Sequence, residues 1–106
     1  MHEVAKHDKP VWATLTTRSA SVHMTDCPDW TSYGGGSPLA VLTVRVVFKR
    51  WGTDPWTVAS INLAGRNRRK DGSLGVINER NPYWRGGPQW MADLIAELEA
   101  ELDAEQ

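Results

Sequence analysis

The clearest alternation in the chain lies in residues 39–51, where Leu42, Val44, Val46 and Phe48 are interleaved with Thr43, Arg45, Val47 and Lys49. Successive Cβ atoms of a strand point to opposite faces, so this pattern predicts a half-buried strand with four apolar side chains on its core face. Gly52-Thr53-Asp54-Pro55 has the composition of a turn. Residues 56–63 then alternate again, with Ala59, Ile61 and Leu63 on one side and Trp56, Val58 and Ser60 on the other. The two segments predict an antiparallel hairpin. Asp71-Gly72 is a favoured tight-turn pair, and residues 73–79 return as a further strand through Leu74, Val76 and Ile77.

Upstream, residues 11–24 trace a weaker period of two through Val11, Ala13, Leu15, Ala20, Val22 and Met24, with Arg18-Ser19 as a bend or bulge, giving one long strand or a hairpin. Residues 26–38 concentrate Gly, Pro, Asp and Ser and read as loop, with a mobile Gly34-Gly35-Gly36 tip. Residues 1–9 are polar and read as a flexible tail. At the other end the period changes to that of a helix. Met91, Leu94, Ile95, Leu98 and Leu102 form one apolar stripe, and Pro88 suits a first helical position because its missing N–H would be unpaired there. The helix should run over residues 88–104. The fold expected is α+β: an antiparallel meander of four to five strands, packed on one face by a C-terminal helix, in a single domain spanning residues 1–106.

Charge changes this picture only when it is divided along the chain. Twelve Lys and Arg stand against 13 Asp and Glu, a net charge of -1. Residues 45–85, however, hold nine basic and three acidic side chains, and residues 86–106 hold six acidic and none basic. Arg66, Arg68, Arg69 and Lys70 fall within five residues at the second hairpin and make the strongest electrostatic contact site in the sequence. Asp93, Glu97, Glu101 and Glu105 recur every four residues along the helix. Each such like-charge pair costs an isolated helix about 0.2–0.5 kcal/mol, and the helix dipole opposes acids in the last turn. The ridge is therefore either a solvated face held up by the apolar stripe, or a surface docked on the basic hairpin or on a basic partner.

Candidate chemistry is sparse. His23, Asp26 and Cys27 are neighbours, but one cysteine does not supply the paired ligand spacing of a structural metal site. Neither Gly34-Gly35-Gly36 nor the segment 65–70 has the pattern of a phosphate-binding loop. The chain reads as non-enzymatic, with no cofactor and no metal. A single cysteine excludes an intramolecular disulfide, and no apolar run approaches the roughly 20 residues of a membrane-spanning helix, so a cytoplasmic setting is expected. Six Trp exceed what so small a core needs. Trp51 and Trp56 flank a turn and could pair across it, Trp90 can pin the helix start, and Trp30 and Trp84 fall in loops, the latter beside Arg85. Loop aromatics next to a cation are the makings of a recognition surface.

Residues 56–95 resemble short uncharacterised proteins of actinobacteria and their phages. The features that carry the likeness are Trp56 leading a strand into Leu63-Ala64-Gly65, Lys70-Asp71-Gly72-Ser73-Leu74-Gly75, and Pro88-Gln89-Trp90 opening a helix. The resemblance implies an origin in a mobile element and no particular activity. Two readings of function follow. The first is a protein-binding module, such as a phage accessory factor that engages or inhibits a host protein, using Trp30, Trp84, Arg85, Asp93, Glu97 and Glu101. The second is single-stranded nucleic-acid binding, with Arg66, Arg68, Arg69 and Lys70 tracking phosphates and Trp51 or Trp56 as a stacking platform. Homodimerisation is compatible with either. The acidic helix weighs against the second reading unless it lies on the opposite face from the nucleic acid.

Overall fold

Among the described residues the chain forms five antiparallel strands and one helix. A computed structural model describes residues 14–31, 37–82 and 87–105. Its elements are β1 (Leu15–His23), β2 (Asp29–Trp30), β3 (Leu39–Trp51), β4 (Thr57–Arg68), β5 (Leu74–Arg80) and α1 (Gln89–Ala104). The sheet order is β1-β3-β4-β5, with the two-residue β2 continuing the β1 edge by pairing with the start of β3. The α+β meander with a C-terminal helix is the observed architecture.

One face of the sheet is core. Val44, Val46 and Phe48 of β3 are fully buried, joined by Ile61 and Leu63 of β4 and by Met91, Ile95, Leu98 and Leu102 of α1. The helical stripe meets the sheet as its spacing predicts, and Trp90 pins the helix start, its indole N–H donating to the Asp29 carbonyl at 3.1 Å. Pro88 is extended (φ -64, ψ 153) and caps the helix from outside, so α1 begins one residue later than the sequence suggests.

Three bulges change which residues reach this face. Between Val41 and Thr43 the register of β3 against β4 shifts, so Leu42 is the extra residue. A bulge reverses the alternation on either side of it. Leu39 and Val41 therefore join Val44, Val46 and Phe48 in the core, and Leu42 is only half-buried rather than a core position. A second shift between Val47 and Phe48 leaves Ala59 of β4 unpaired. Ala59 is exposed, and Trp56 and Val58 turn to the core side in its place. The third shift, at Arg66/Arg68, falls against β5, whose Leu74, Val76 and Ile77 are all exposed and contribute nothing to the core.

Other expectations are corrected by the register. β1 is one unbroken strand, so Leu15, at odd spacing from Ala20 and Val22, faces away from the core and is 45% exposed. Trp30 belongs to β2 rather than to a loop, and packs half-buried against the core. Trp51 and Trp56 do not pair: Trp51 shares a face with Lys49, and Trp56 lies on the core face beneath Arg50, whose guanidinium carbon is 4.4 Å from its ring centroid. The tail at 1–9 and the Gly34–Gly36 tip lie outside the described residues.

Candidate nucleic-acid interface

The opposite face of the sheet follows from the same register. Directly paired residues of an antiparallel sheet project to the same side. Opposite the core face, β3 therefore shows Thr43, Arg45, Val47 and Lys49 beside Ser60, Asn62, Ala64 and Arg66 of β4, with β1 adding Ser19, Ser21 and His23. Among the described residues no element packs on this face. Its side chains are mostly small and polar, with Arg45 and Lys49 exposed and Arg66 half-buried.

Near the centre lies a shallow depression of about 370 Å³ lined by Arg45, Val47, Ser60, Asn62, Glu79 and Asn81. The Asn62 amide donates to the Asn81 side-chain oxygen at 3.1 Å, which orients both groups across the β4–β5 seam. The depression thus offers a guanidinium, two amides, a hydroxyl and a carboxylate within one polar cup, a set able to pair with the edges of an unstacked base.

The basic hairpin sits at one end of the sheet. The β4–β5 connection is residues 69–73, in which Gly72 N–H donates to the Arg69 carbonyl (2.9 Å) and Arg69 N–H to the Ser73 carbonyl (2.8 Å). Gly72 takes φ +88, open to glycine without cost. The Asp71 carboxylate accepts from both the Ser73 N–H (2.9 Å) and its hydroxyl (2.6 Å), and these bonds hold its pKa below the ordinary aspartate value. The loop thereby presents Arg69 and Lys70 to solvent. Together with Arg68, Ser37 and Pro38 they line a second, open hollow of about 520 Å³. Arg68 is drawn back by a 3.0 Å ion pair with Asp29, and Arg66 Nη1 donates to the Gly75 carbonyl at 3.1 Å.

Not every residue singled out in the sequence joins this surface. Trp51 is 37% exposed but lies at the far end of β3, about 40 Å along the strand from the hairpin loop. Trp56 is buried in the core and offers no stacking face. Of the two, Trp51 shares the bare face with Lys49 and lies within reach of an extended strand that also meets the loop cations, whereas Trp56 does not. Trp84 and Arg85 lie outside the described residues. Arg45 and Lys49, which the sequence marked only as the polar half of an alternating strand, are the additions; the phase of that alternation was the signal for them.

The acidic ridge stands behind the sheet. Asp93, Glu97 and Glu101 are exposed on α1, which covers the core face. A residue every four positions drifts about 40° around a helix of 3.6 residues per turn. The ridge therefore starts at Asp93, pointing away from the sheet, and descends to it at Glu105, where Arg18 Nη2 bridges the carboxylate at 2.8 Å. Among the described residues the ridge thus meets Arg18 of β1 rather than the basic hairpin.

No helix among the described residues is long and apolar enough to cross a membrane, and these residues include no cluster of three or more metal-binding side chains. No protein-family model, curated protein or solved structure matches the chain.

Proposed function

We propose that the protein is a non-enzymatic binding module whose bare sheet face takes up single-stranded nucleic acid. The observation that carries this reading is the division of charge across the sheet. Arg45, Lys49, Arg66 and the hairpin cations lie on or beside the bare face, while Asp93, Glu97 and Glu101 project from the helix behind it. The acidic helix is then no obstacle to a phosphate backbone. From Lys49 to the hairpin the basic track runs about 35 Å, on the scale of folds that take up roughly 4–16 nucleotides. The central cup supplies hydrogen-bonding groups for bases, and these can reach base edges only in an unpaired strand.

Anisotropy of a labelled single-stranded oligonucleotide, titrated across a salt series, tests the reading. Affinity should fall with salt, with a log–log slope of about -0.7 for each phosphate contacted. The triple variant Arg45→Ala, Lys49→Ala, Arg66→Ala should bind far more weakly and lose part of that slope. Absence of binding at low salt overturns the proposal.

A protein-binding module acting on a host protein is the second reading, favoured by one observation: Asp93, Glu97 and Glu101 are exposed on one side of the helix, Asp93 accepting from the Gln89 amide at 2.8 Å. Trp30, the aromatic of this reading that lies among the described residues, is half-buried and packs against the core. For either reading we infer a cytoplasmic setting in a bacterial or phage-infected cell, in line with the resemblance of residues 56–95 and the free thiol of Cys27.

A further inference from the structure

One group on the bare face runs against its charge. Near the hairpin cations Asp29 is paired with Arg68 at 3.0 Å and Asp71 is bonded to Ser73. The Glu79 carboxylate, opposite Ala64 of β4, has no ion-pair or hydrogen-bond partner among the described residues. An exposed carboxylate repels a phosphate backbone, so its place on this face costs affinity unless the ligand brings it a donor. Arg45, which lines the same central cup, is likewise without a side-chain partner among the described residues. The strands that carry the two groups have β4 between them and so lie about 10 Å apart.

Resting on the single-strand reading, we propose that the cup selects guanine from the bound strand. A carboxylate only accepts, and its two oxygens are best met by two adjacent donors. Guanine alone among the common bases carries such a pair, its N1–H and its 2-amino group. Adenine and cytosine set one amino group beside an accepting ring nitrogen, and thymine or uracil sets one N–H between two carbonyls. Each of these turns a lone pair toward the second carboxylate oxygen. Guanine's O6 and N7 are in turn the acceptors that an arginine guanidinium meets in pairs. With Glu79 at one edge and Arg45 at another, the base lies over Ser60 and Asn62. The amides of the cup weigh against adenine, whose paired contact needs both the nitrogen and the oxygen of one amide. The Asn62–Asn81 bond engages the nitrogen of one and the oxygen of the other.

Anisotropy of labelled oligothymidine strands of one length, carrying a single central guanine, adenine or cytosine or left plain, tests the assignment. The guanine strand should bind about tenfold tighter than the other three, the scale of one good bidentate contact, with the same salt slope. Glu79→Gln should remove most of that preference and bind plain oligothymidine more tightly than the parent chain, a carboxylate having left the phosphate face. Its thermal unfolding should be retained, the side chain being exposed. Hypoxanthine, which lacks only the 2-amino group, should lose most of guanine's advantage on the parent chain and bind Glu79→Gln as guanine does. Free guanosine monophosphate, without neighbouring phosphates, should displace the strand only in large excess. Salt-dependent binding that is equal for all four strands overturns the guanine assignment and leaves the single-strand reading standing, whereas no binding to any strand at low salt overturns both. A preference for another base, a guanine preference undiminished by Glu79→Gln, or displacement by the free nucleotide at the strand's own concentration also overturns the assignment.

Discussion

The two faces of the sheet are built from the same strands and obey opposite rules. On the covered face, residues are chosen by volume: Phe48, Leu63, Met91, Val44 and Val46 are fully excluded from water and interlock between β3, β4 and α1. On the bare face, the alternating partners of those residues, Arg45, Val47, Lys49 and Ser60, are bound by no packing constraint. Stability is therefore concentrated on one side and freedom to carry charge on the other. The near-neutral composition is thus a sum of unlike regions, six acids standing on the helix that seals one face while Glu79 stands among the cations of the other.

The contrast is broken most forcefully from the core side. Phe48→Ala, at a site with no exposure, should lower unfolding free energy by about 3–5 kcal/mol in a urea titration. Val47→Ala, its neighbour on the bare face, should cost under about 1 kcal/mol. Equal losses would mean that the bare face is covered after all. A comparable effect is expected at Gly65, where β3 and β4 approach so closely that an added Cβ would collide with the Ala40 carbonyl. Both groups are backbone and neither can yield without disturbing the ladder, so Gly65→Ala should cost about 1–3 kcal/mol.

Binding should divide the faces in the reverse sense. Removing the acids with Asp93→Asn, Glu97→Gln and Glu101→Gln should leave oligonucleotide affinity unchanged or slightly raised, the helix lying behind the sheet. Arg45→Ala alone should weaken it by about 1 kcal/mol or more, the scale of a charged hydrogen bond. A fall in affinity from the helix variant would move the interface to the acidic side and favour the protein-binding reading.

These contrasts were only partly legible in the sequence. Period-two and period-3.6 patterns are consequences of backbone geometry, so β3, β4 and the α1 stripe could be read directly. Bulges are not: nothing local distinguishes Leu42 or Ala59 from its neighbours, and each shifts one residue off the core face while bringing Val41 or Trp56 onto it. For the same reason Trp56 looked available for stacking. Division of charge by segment was visible, but which face each segment would occupy depended on α1 crossing behind the sheet. Trp30 was misread because a two-residue strand has no periodicity to detect.

Arg18–Glu105 ties the end of the acidic ridge to the covered side of the sheet, where Arg18 lies opposite Phe48, and its contribution should be small. Both side chains are about half exposed, 49% and 51%, and exposed pairs contribute about 0.2–1 kcal/mol. Arg18→Ala should therefore destabilise by no more than this, with the difference vanishing in high salt.

The smallest effect belongs to the hairpin loop that carries Arg69 and Lys70. The Asp71 carboxylate is held below its ordinary pKa by the Ser73 hydroxyl and N–H, so the folded state prefers it ionised. A depressed pKa contributes stability that is present above the unfolded value of 3.8 and is lost as pH falls through the lower folded value. Asp71 should titrate below a free aspartate in a carboxyl NMR titration, and Ser73→Ala should move it upward by removing the hydroxyl bond. Across that low-pH window the loop should loosen, seen as faster exchange of the Ser73 amide, while the amides of Val46 and Phe48 on the core strand stay protected. If Ser73 and Phe48 lose protection together, the loop is not a separate device at the basic end of the sheet but opens only with the whole fold.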